Sequence, residues 1–251
     1  MGVPVLETIA LEKRFGGIVA SSNVYLRVER GARHALIGPN GAGKTTLVNL
    51  LTGVLRPSAG RILLDARDIT ALKPHHRAKL GIARTFQINQ LFADLTPLET
   101  ISLAVCERLG IGSDWRRVLG KRPQLIGEVA EVLEAFRLAD VMDEKTSTLP
   151  YGKQRLLEIA LAIAGRPRVL LLDEPAAGIP EAERHVILDI VAALPDEVSV
   201  LLIEHDMDLV FQFARRISLL VDGAVFVEGT PEEIARDARV KEVYLGEAAH
   251  V

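Results

Sequence analysis

Residues 38–45, Gly38-Pro39-Asn40-Gly41-Ala42-Gly43-Lys44-Thr45, fit the pattern G-x-x-x-x-G-K-[ST], and this stretch decides the fold. A short apolar run typical of a strand precedes it, and leucines and a valine at helical spacing follow it as far as Gly53. A strand, a glycine-rich loop and a helix in this order form a cradle for phosphate, because glycines let successive N–H groups point inward and the helix adds its positive end. In such a loop Lys44 reaches the β- and γ-phosphates and Thr45 binds Mg²⁺. We therefore expect a nucleoside triphosphate site here.

Two more apolar runs, residues 169–172 and 198–203, indicate buried strands, because both are rich in leucine and β-branched residues and both end in acidic residues. An apolar helical stripe lies between them, formed by Val186, Ile187, Ile190, Val191 and Leu194. A strand, a helix and a strand in this order predict a parallel sheet covered by helices. The fold class is therefore α/β.

Chemically active side chains follow both runs. Asp173 ends the first run, where a phosphate-binding loop needs a carboxylate on a neighbouring strand to hold its metal ion. Glu174 comes next and could accept a proton from an attacking water as a general base. His205 follows the second run and could contact a γ-phosphate; the alternative for a histidine at a strand end is a structural role.

The remaining segments show helical periodicity in one region and turn and helix-capping signals in another. Residues 89–148 have helical periodicity and no convincing buried strand, which predicts an inserted helical lobe. Further on, Asp222-Gly223 favours a type I′ hairpin turn between two apolar runs. Thr230, Pro231 and Glu233 then have the spacing of a capping box that opens a last helix.

Composition and charge exclude several classes of function. The 251 residues carry a formal net charge of −3 with scattered basic residues, so we expect no nucleic-acid partner. The single cysteine, Cys106, leaves no intramolecular disulfide and fits a reducing compartment. We expect no export and no membrane span, because no signal sequence and no run of about 18 apolar residues is present. These features fit a reducing compartment, and any association with a membrane must go through a protein partner.

Three further segments resemble motifs of the ABC transporter ATPases. Gln87, which follows Arg84-Thr85-Phe86, resembles the glutamine of the Q-loop. Residues 149–155 (LPYGKQR) resemble the signature, and residues 172–175 (LDEP) resemble the Walker B motif. Their order and spacing match throughout, so the resemblance covers essentially the whole chain. It implies an α/β fold with a RecA-like P-loop NTPase core of mainly parallel sheet, an antiparallel β subdomain and an inserted α-helical lobe. It also implies one ABC ATPase domain over residues 1–251, with a nucleotide-binding core at 1–86 and 165–251 and a helical signature subdomain at 87–164.

The resemblance implies roles for individual residues. Gln87 contacts the metal ion and the attacking water, and couples the core to the helical lobe. Phe15 stacks on adenine; its alternative role is that of an aromatic on an edge strand. The catalytic residues implied are Glu174, His205, Lys44 and Gln87. The Mg²⁺ ligands implied are Thr45, Gln87 and Asp173. The ATP-binding residues implied are Phe15, Gly38, Pro39, Asn40, Gly41, Ala42, Gly43, Lys44, Thr45, Thr46, Gln87, Tyr151, Gly152 and Lys153.

A finer resemblance is to the ATPases of bacterial branched-chain amino acid uptake systems. The segments that carry it are residues 82–87 (IARTFQ), 151–152 (YG), 173–178 (DEPAAG), 204–207 (EHDM) and 244–247 (YLGE). It implies an ATPase that powers the import of branched-chain amino acids. The ATPases of urea import and of lipopolysaccharide export are similar and are the alternatives.

The signature departs from the family pattern, Leu-Ser-Gly-Gly-Gln, whose serine donates to the γ-phosphate bound by the partner subunit. Pro150 has neither a hydroxyl nor an N–H, so only the N–H groups of Gly152 and Lys153 and the helix dipole remain. After Walker B, Ile179-Pro180 lacks the aspartate that many members carry. We expect a composite site that is slower or that depends on a different partner subunit. A regulatory module that binds nucleotide but hydrolyses it poorly is the rival interpretation.

The resemblance also implies partners. One chain carries one glycine-rich loop and one signature, so we expect two ATPase subunits, identical or paralogous, to face each other head to tail around two ATP molecules. Separate transmembrane permease subunits complete the transporter. An ABC ATPase of DNA repair or translation is disfavoured, because the sequence has neither tandem cassettes nor long coiled coils nor basic extensions.

Overall fold

The computed structural model describes residues 4–85, 91–111 and 123–248, with the backbone alone at residues 182 and 244–248. The chain divides into two compact units. The first consists of Met1–Ile82, Arg168–Glu174 and Leu194–Val251, and the second of Ala83–Pro167 and Pro175–Ala193. Residues 175–193 group with the second unit although they lie outside the range 87–164 expected for the helical subdomain.

The described residues form ten strands and nine α-helices. The strands are β1 (Pro4–Phe15), β2 (Ile18–Glu29), β3 (Arg33–Ile37), β4 (Ala59–Leu64), β5 (Arg67–Asp68), β6 (Ile82–Arg84), β7 (Val169–Asp173), β8 (Ser199–Ile203), β9 (Arg216–Val221) and β10 (Ala224–Gly229). The helices are α1 (Lys44–Thr52), α2 (Pro74–Lys79), α3 (Pro97–Arg108), α4 (Pro123–Ala135), α5 (Tyr151–Ala164), α6 (Glu181–Ala192), α7 (Met207–Phe213), α8 (Pro231–Arg236) and α9 (Ala238–Ala248). Two 3₁₀ turns, Ala139–Val141 and Thr146–Thr148, lie between α4 and α5.

The central sheet has the strand order β10-β9-β3-β8-β7-β6. Strand β3 pairs in parallel with β8 and β9, and β7 pairs in parallel with β8. Among the pairings given for the described residues of this sheet, only that between β9 and β10 is antiparallel. Every residue of β3 and β8 is buried, as expected for leucine-rich and β-branched runs in a sheet covered on both faces. The predicted α/β fold with a mainly parallel sheet is confirmed.

A second sheet, with the order β2-β1-β4-β5, is antiparallel throughout its described pairings. Strands β1 and β2 are each 12 residues long, and register shifts interrupt their pairing, which increases the local twist. Apolar side chains of this sheet, of α1 and of the central sheet form one buried core. Its members include Leu26, Leu47, Ile62, Leu171 and Leu201. The expected antiparallel β subdomain is therefore present.

The predicted hairpin and helix start are both confirmed. Asp222 and Gly223 have φ of 47° and 77°, the positive values that a type I′ turn needs. Thr230 Oγ1 accepts the N–H of Glu233 at 3.3 Å, and Oε2 of Glu233 accepts the N–H of Thr230 at 2.8 Å. These reciprocal bonds form the capping box that opens α8.

A buried arginine, Arg77, fixes the end of α1. Its Nη1 donates to the carbonyl oxygens of Leu50 and Leu51 at 2.6 and 2.8 Å, and Nη2 and Nε donate to those of Thr70 and Leu72. Burial lowers the pKa of Arg77 to about 10, so the side chain stays charged at neutral pH. A cation at the C-terminus of a helix satisfies its last carbonyls and its dipole. Arg77 thereby anchors the helix whose start carries the glycine-rich loop.

The second unit is helical. Helices α3, α4 and α5 pack against one another through buried apolar side chains that include Ile101, Val105, Val129, Leu133 and Leu157. Within residues 91–111 and 123–148 the structure contains helices and 3₁₀ turns but no strand, as the sequence pattern predicts. No helix in the described ranges combines the length and the apolar character needed to cross a bilayer.

Candidate functional site

The glycine-rich loop lies between the end of β3 and the start of α1. Gly38, Gly41 and Gly43 have φ of 152°, 79° and 98°, values that L side chains rarely adopt. A Cβ atom on Gly38 would lie 2.2 Å from the carbonyl oxygen of Leu220, and one on Gly43 would lie 2.6 Å from that of Ala20. The backbones of β9 and β2 therefore press against the loop and leave no room for a side chain at either glycine.

Helix α1 starts in a way that suits an anion. Its N-cap residue is Gly43, which has no side chain to cap the N–H groups of the first turn, and such N–H groups at a helix start can bind an anion. Lys44 Nζ donates to the carbonyl oxygens of Gly38 and Pro39 at 2.5 and 2.9 Å, which places its charge over the loop. Thr45, the next residue, is exposed. The loop therefore offers positive potential from both the backbone and the lysine.

Three neighbouring strands bring the other expected residues to the same edge of the sheet. The glycine-rich loop follows β3, Asp173 ends β7 and His205 lies just beyond β8. Because these strands are parallel and adjacent, their carboxyl ends lie at one edge, where ligands bind in α/β sheets. Asp173 is half-buried and is opposite Ile203, the last residue of β8.

Glu174 has an unusual backbone conformation. Its φ is 47°, which is uncommon for a non-glycine residue and costs free energy. The N–H of Glu174 donates to the carbonyl oxygen of Ile203 at 2.9 Å, which extends the pairing of β7 and β8 by one bond. Oε1 of Glu174 lies 3.5 Å from Nδ1 of His205. A carboxylate can accept a proton from water, and an imidazole beside it can stabilise the charge that results.

A third member of this group, Glu204, was missed by the sequence analysis as a functional residue. Its side chain is only 2% exposed, and Oε2 accepts the N–H groups of His205 and Asp206 at 3.0 and 3.5 Å. Burial raises the pKa of Glu204 above its ordinary value, and Glu174 adds to this, whereas the two N–H bonds and His205 act in the opposite direction. The signal that could have found it is an acid directly after a buried strand, the signal that singled out Asp173.

Phe15 lies at the end of β1, opposite Ile18 across the tight turn to β2. Its ring is 47% exposed, and Nζ of Lys13 lies 4.9 Å from the ring centroid. The same hairpin carries Ala20, whose carbonyl oxygen approaches Gly43. An exposed aromatic surface therefore lies on the hairpin whose second strand borders the glycine-rich loop.

The signature segment belongs to the second unit. Pro150 is the N-cap residue of α5 and makes no side-chain cap bond with any residue that the structure describes. Since the helix begins at Tyr151, the N–H groups of Gly152 and Lys153 belong to its first turn. From the sequence, the N–H groups at this helix start are the ones expected to bind an anion in place of the missing serine hydroxyl.

Two side chains of the signature form hydrogen bonds to other residues of the second unit. The hydroxyl of Tyr151 donates to the carbonyl oxygen of Ala177 at 3.3 Å. Lys153 Nζ donates to both carboxylate oxygens of Asp140, at 2.7 and 3.0 Å. A Cβ atom on Gly152 would lie 2.7 Å from Oε2 of Glu183, so this carboxylate lies beside the positive end of α5.

Arg155, at the end of the signature, is a second residue whose environment the sequence did not reveal. Its guanidinium is buried, and Nε donates to the carbonyl oxygen of Pro175 at 3.0 Å, one residue after Glu174. Nη1 forms a short hydrogen bond to Glu158. Burial raises the pKa of Glu158, and the charge of Arg155 opposes this.

One expected metal ligand cannot be placed. Gln87 lies outside the described residues, as does Phe86 beside it. In the part of the chain that the structure describes, no group of three or more His, Cys, Asp or Glu side chains could hold a metal ion. The other expected ligands, Thr45 and Asp173, are one hydroxyl and one carboxylate. Mg²⁺ suits such a sparse set, because it retains waters and takes phosphate oxygens as further ligands.

Comparison with known proteins identifies the family. A family model described as ABC transporter matches residues 21–177, which include the glycine-rich loop, the signature and Asp173-Glu174. The chain belongs to the ABC transporter family. This ATP-binding cassette is an ATPase subunit, and the resemblance noted in the sequence is confirmed. A second model, described as branched-chain amino acid ATP-binding cassette transporter, matches residues 224–250.

Individual relatives match the cassette from end to end. The high-affinity branched-chain amino acid transport ATP-binding protein BraF of Pseudomonas aeruginosa is 41% identical over 257 residues, which cover 99% of this chain and 100% of that protein. LivG of Escherichia coli, which has the same descriptive name, is 38% identical over 258 residues with the same coverage. A solved structure, the ADP conformation of an ATP-binding cassette of an ABC transporter, has a TM-score of 0.83 at 30% identity and covers 97% of this chain and 99% of its own.

Proposed function

We propose that the cassette hydrolyses ATP to drive the import of branched-chain amino acids through separate transmembrane permease subunits. The single observation that carries hydrolysis is the pair of Glu174 and His205, with 3.5 Å between Oε1 and Nδ1, at the sheet edge where the glycine-rich loop also lies. The cargo is supported by the full-length relatives BraF and LivG, which are named for branched-chain amino acid transport. The family segment at residues 224–250 supports the same cargo.

The residues present fit a triphosphate and a magnesium ion. The cradle at Gly38 and Gly43 has no room for a Cβ, and α1 starts with a glycine as its N-cap residue, which brings no side chain to the N–H groups of the first turn. We assign residues 38–46 to the phosphates and the exposed ring of Phe15 to adenine stacking. The oxygen atoms of Thr45 and Asp173, with Gln87 as a further ligand, suit Mg²⁺. Bound Mg²⁺ supplies positive charge that neutralises the β- and γ-phosphates.

Each catalytic residue has one task in this proposal. Lys44 stabilises the negative charge that develops on the transferred phosphoryl group. Glu174 accepts a proton from the attacking water, and its exposed carboxylate is within reach of solvent. His205 contacts the γ-phosphate, and Gln87 orients the water. The hydrogen bond from the N–H of Glu174 to Ile203 holds the base in place while the water is activated.

A complete site requires a second ATPase subunit. The first turn of α5 forms an anion-binding element separate in sequence from the glycine-rich loop, and we assign Tyr151, Gly152 and Lys153 to the nucleotide held by the facing subunit. The two subunits, identical or paralogous, then face each other head to tail around two ATP molecules. Hydrolysis in this arrangement replaces a bridging anion by separate products and loosens the interface.

We place the assembly on the cytoplasmic face of the cell membrane, where the cassette is held by its permease subunits. In this proposal, residues 1–86 and 165–251 form the nucleotide-binding core and residues 87–164 the helical signature subdomain. The two compact units support a division of this kind, with residues 175–193 grouped with the helical part.

Pro150 favours a second candidate function, a regulatory module that binds nucleotide and hydrolyses it poorly. The proline at the N-cap of α5 has no hydroxyl to offer a γ-phosphate, unlike the serine of the family pattern. Steady-state phosphate release by the wild type and by Glu174→Gln separates the two functions. An ATPase that drives transport should lose phosphate release with this substitution, whereas a regulatory module should release little phosphate in either form.

Reconstitution tests the cargo. We expect the cassette to copurify with permease subunits from detergent-solubilised membranes and, in proteoliposomes, to drive ATP-dependent uptake of leucine. The Lys44→Ala variant should assemble equally well but drive no uptake. Uptake of urea without uptake of leucine, or outward movement of lipopolysaccharide, would assign the cassette to one of the related transporters instead.

A further inference from the structure

His205 is an exposed side chain in a functional position. Its imidazole is 66% exposed, so apolar packing does not hold the ring in place. The ring nonetheless has two specific neighbours, since Nδ1 lies 3.5 Å from Oε1 of Glu174 and 3.7 Å from Oε2 of Glu204. Glu174 is itself 46% exposed, whereas Glu204 is 2% exposed. Of these two carboxylates, Glu204 is the one whose own position is fixed by burial.

The backbone around His205 is held at both ends. On the strand side, Oε2 of Glu204 accepts the N–H groups of His205 and Asp206. On the helix side, Asp206 caps α7, because its Oδ1 accepts the N–H groups of Asp208 and Leu209 at 3.1 and 3.4 Å. Residues 204–206 therefore form a short bridge from β8 to α7, in which the side chain of Glu204 accepts the N–H groups of the two residues that follow it.

We propose that Glu204 is a positioning residue for His205: its buried carboxylate binds the backbone N–H groups of the bridge and keeps Nδ1 facing Glu174. This inference rests on the proposed ATPase function. Because Nδ1 faces the two carboxylates, Nε2 is the ring nitrogen that we assign to the γ-phosphate. A histidine whose backbone drifts by about 1 Å would lose this alignment, and such misplacements can cost up to a hundredfold in rate.

Hydrogen-bond acceptance, rather than charge, is the property of Glu204 that this role requires. An oxygen of the side chain accepts the two N–H groups whether the carboxyl group is ionised or not, and the Oε1 of a glutamine can do the same. Methionine has nearly the same volume as glutamate but only a weak sulfur acceptor, so it fills the space and leaves the N–H groups unpaired. Glu204→Gln and Glu204→Met thus form a matched pair.

The test is steady-state ATP hydrolysis by the assembled transporter. We expect Glu204→Gln to retain at least about a third of the wild-type kcat and Glu204→Met to lose about tenfold or more, with KM for ATP changed by less than about twofold in both. A merely structural role would lower the thermal midpoint and affect kcat and KM together. Wild-type kcat in the methionine variant, or equal losses in both variants, overturns the proposal.

Combining the Glu204 substitution with His205→Ala shows whether the loss of kcat depends on the histidine. In a His205→Ala transporter, assayed with radiolabelled ATP, we expect Glu204→Met to cause no further loss of kcat. A loss of the same size as in the wild-type transporter overturns the proposal.

If the methionine variant does not fold, Glu204→Asp replaces it, because its shorter side chain withdraws the acceptor. The aspartate variant must then lose about tenfold in kcat, and full activity contradicts the proposal. A wild-type transporter without ATPase activity would refute the proposed function itself, whereas an active wild type with unaffected variants refutes only the role of Glu204.

Discussion

Nδ1 of His205 lies 3.5 Å from Oε1 of Glu174, although the two residues follow different strands. The parallel pairing of β7 with β8, which sets Asp173 opposite Ile203, determines this distance. Both side chains are exposed enough to meet a substrate, while their backbones belong to the end of a buried sheet. The proposed general base and the histidine beside it are therefore attached to a rigid support.

Removing the charge of Glu174 should separate nucleotide binding from hydrolysis. The Glu174→Gln variant is expected to bind ATP normally and to lose at least about a hundredfold in kcat, because glutamine cannot accept the proton of the attacking water. Light scattering with ATP and Mg²⁺ should then detect a stable dimer. The Lys44→Ala variant is the control that should stay monomeric. A Glu174→Gln protein that remains monomeric with ATP and Mg²⁺ contradicts this part of the mechanism.

A serine at position 150 should accelerate the composite site. Pro150→Ser restores a hydroxyl that can donate to a γ-phosphate, and a hydrogen bond to a charged group is worth about 1.5–3 kcal/mol, or roughly tenfold or more in rate. ATP turnover of the assembled transporter measures this. Pro231→Ser is the control, because Pro231 also lies at the start of a helix, α8, but belongs neither to the signature nor to the loop after Walker B. An unchanged rate in Pro150→Ser, or an equal rise in both variants, counts against the role of the signature.

The glycine-rich loop should tolerate no side chain at Gly43. Gly43→Ala places a Cβ 2.6 Å from the carbonyl oxygen of Ala20 at a φ of 98°, so the loop must move and its N–H groups lose their alignment. We expect the affinity for ATP to fall about tenfold or more. Gly127→Ala in α4, where a Cβ meets nothing within 4 Å, should leave the affinity unchanged. Calorimetric titration with ATP compares the two variants, and equal affinities would disprove the steric argument.

Acid should destabilise the fold through His34. Its imidazole is buried, with Nε2 2.8 Å from Oγ of Ser218, whose hydroxyl donates to Glu228. Burial lowers the pKa of His34 from 6.5 to about 4, and Glu228 opposes this only in part. The folded chain therefore binds fewer protons than the unfolded chain below pH 6.5. The free energy of unfolding should fall as the pH drops from 6.5 to 4, by about 3 kcal/mol from this residue.

Urea unfolding at about pH 7 and about pH 5 checks this dependence on His34. His34→Gln removes the titrating group and retains a hydrogen-bond partner for Ser218, so its loss of stability on acidification should be smaller than that of the wild type. Identical losses in the two proteins would show that other groups account for the acid sensitivity.

Local signals in the sequence predicted the central features of the fold. The glycine-rich loop, the strand before it and the hairpin at Asp222-Gly223 could be located because each depends on short-range backbone geometry. The crossover helix α6 was predicted from its apolar stripe, although it ends at Ala192, so that Leu194 lies beyond it. Strand β1 could not be located from periodicity, because its buried and exposed residues do not alternate strictly and its register shifts. Residues 23–28 of β2 do alternate between exposed and buried positions, a signal that went unused.

Buried polar residues were the part of the site that the sequence did not reveal. No role was assigned to Arg77 or Glu204 from the sequence, since long charged side chains are rarely buried. Their burial depends on backbone groups that the folded chain brings together, such as the carbonyls at the end of α1 for Arg77. Glu174 and His205 were predicted one at a time, but their separation depends on which strands are neighbours in the sheet.

Titration of the purified wild type and of Lys44→Ala with ATP and Mg²⁺ shows whether the glycine-rich loop binds a triphosphate. We expect saturable binding by the wild type and an affinity at least about tenfold lower for the variant, because a charge-assisted contact to the phosphates is removed. A wild-type protein without measurable affinity for ATP, or a variant that binds equally well, would contradict this expectation.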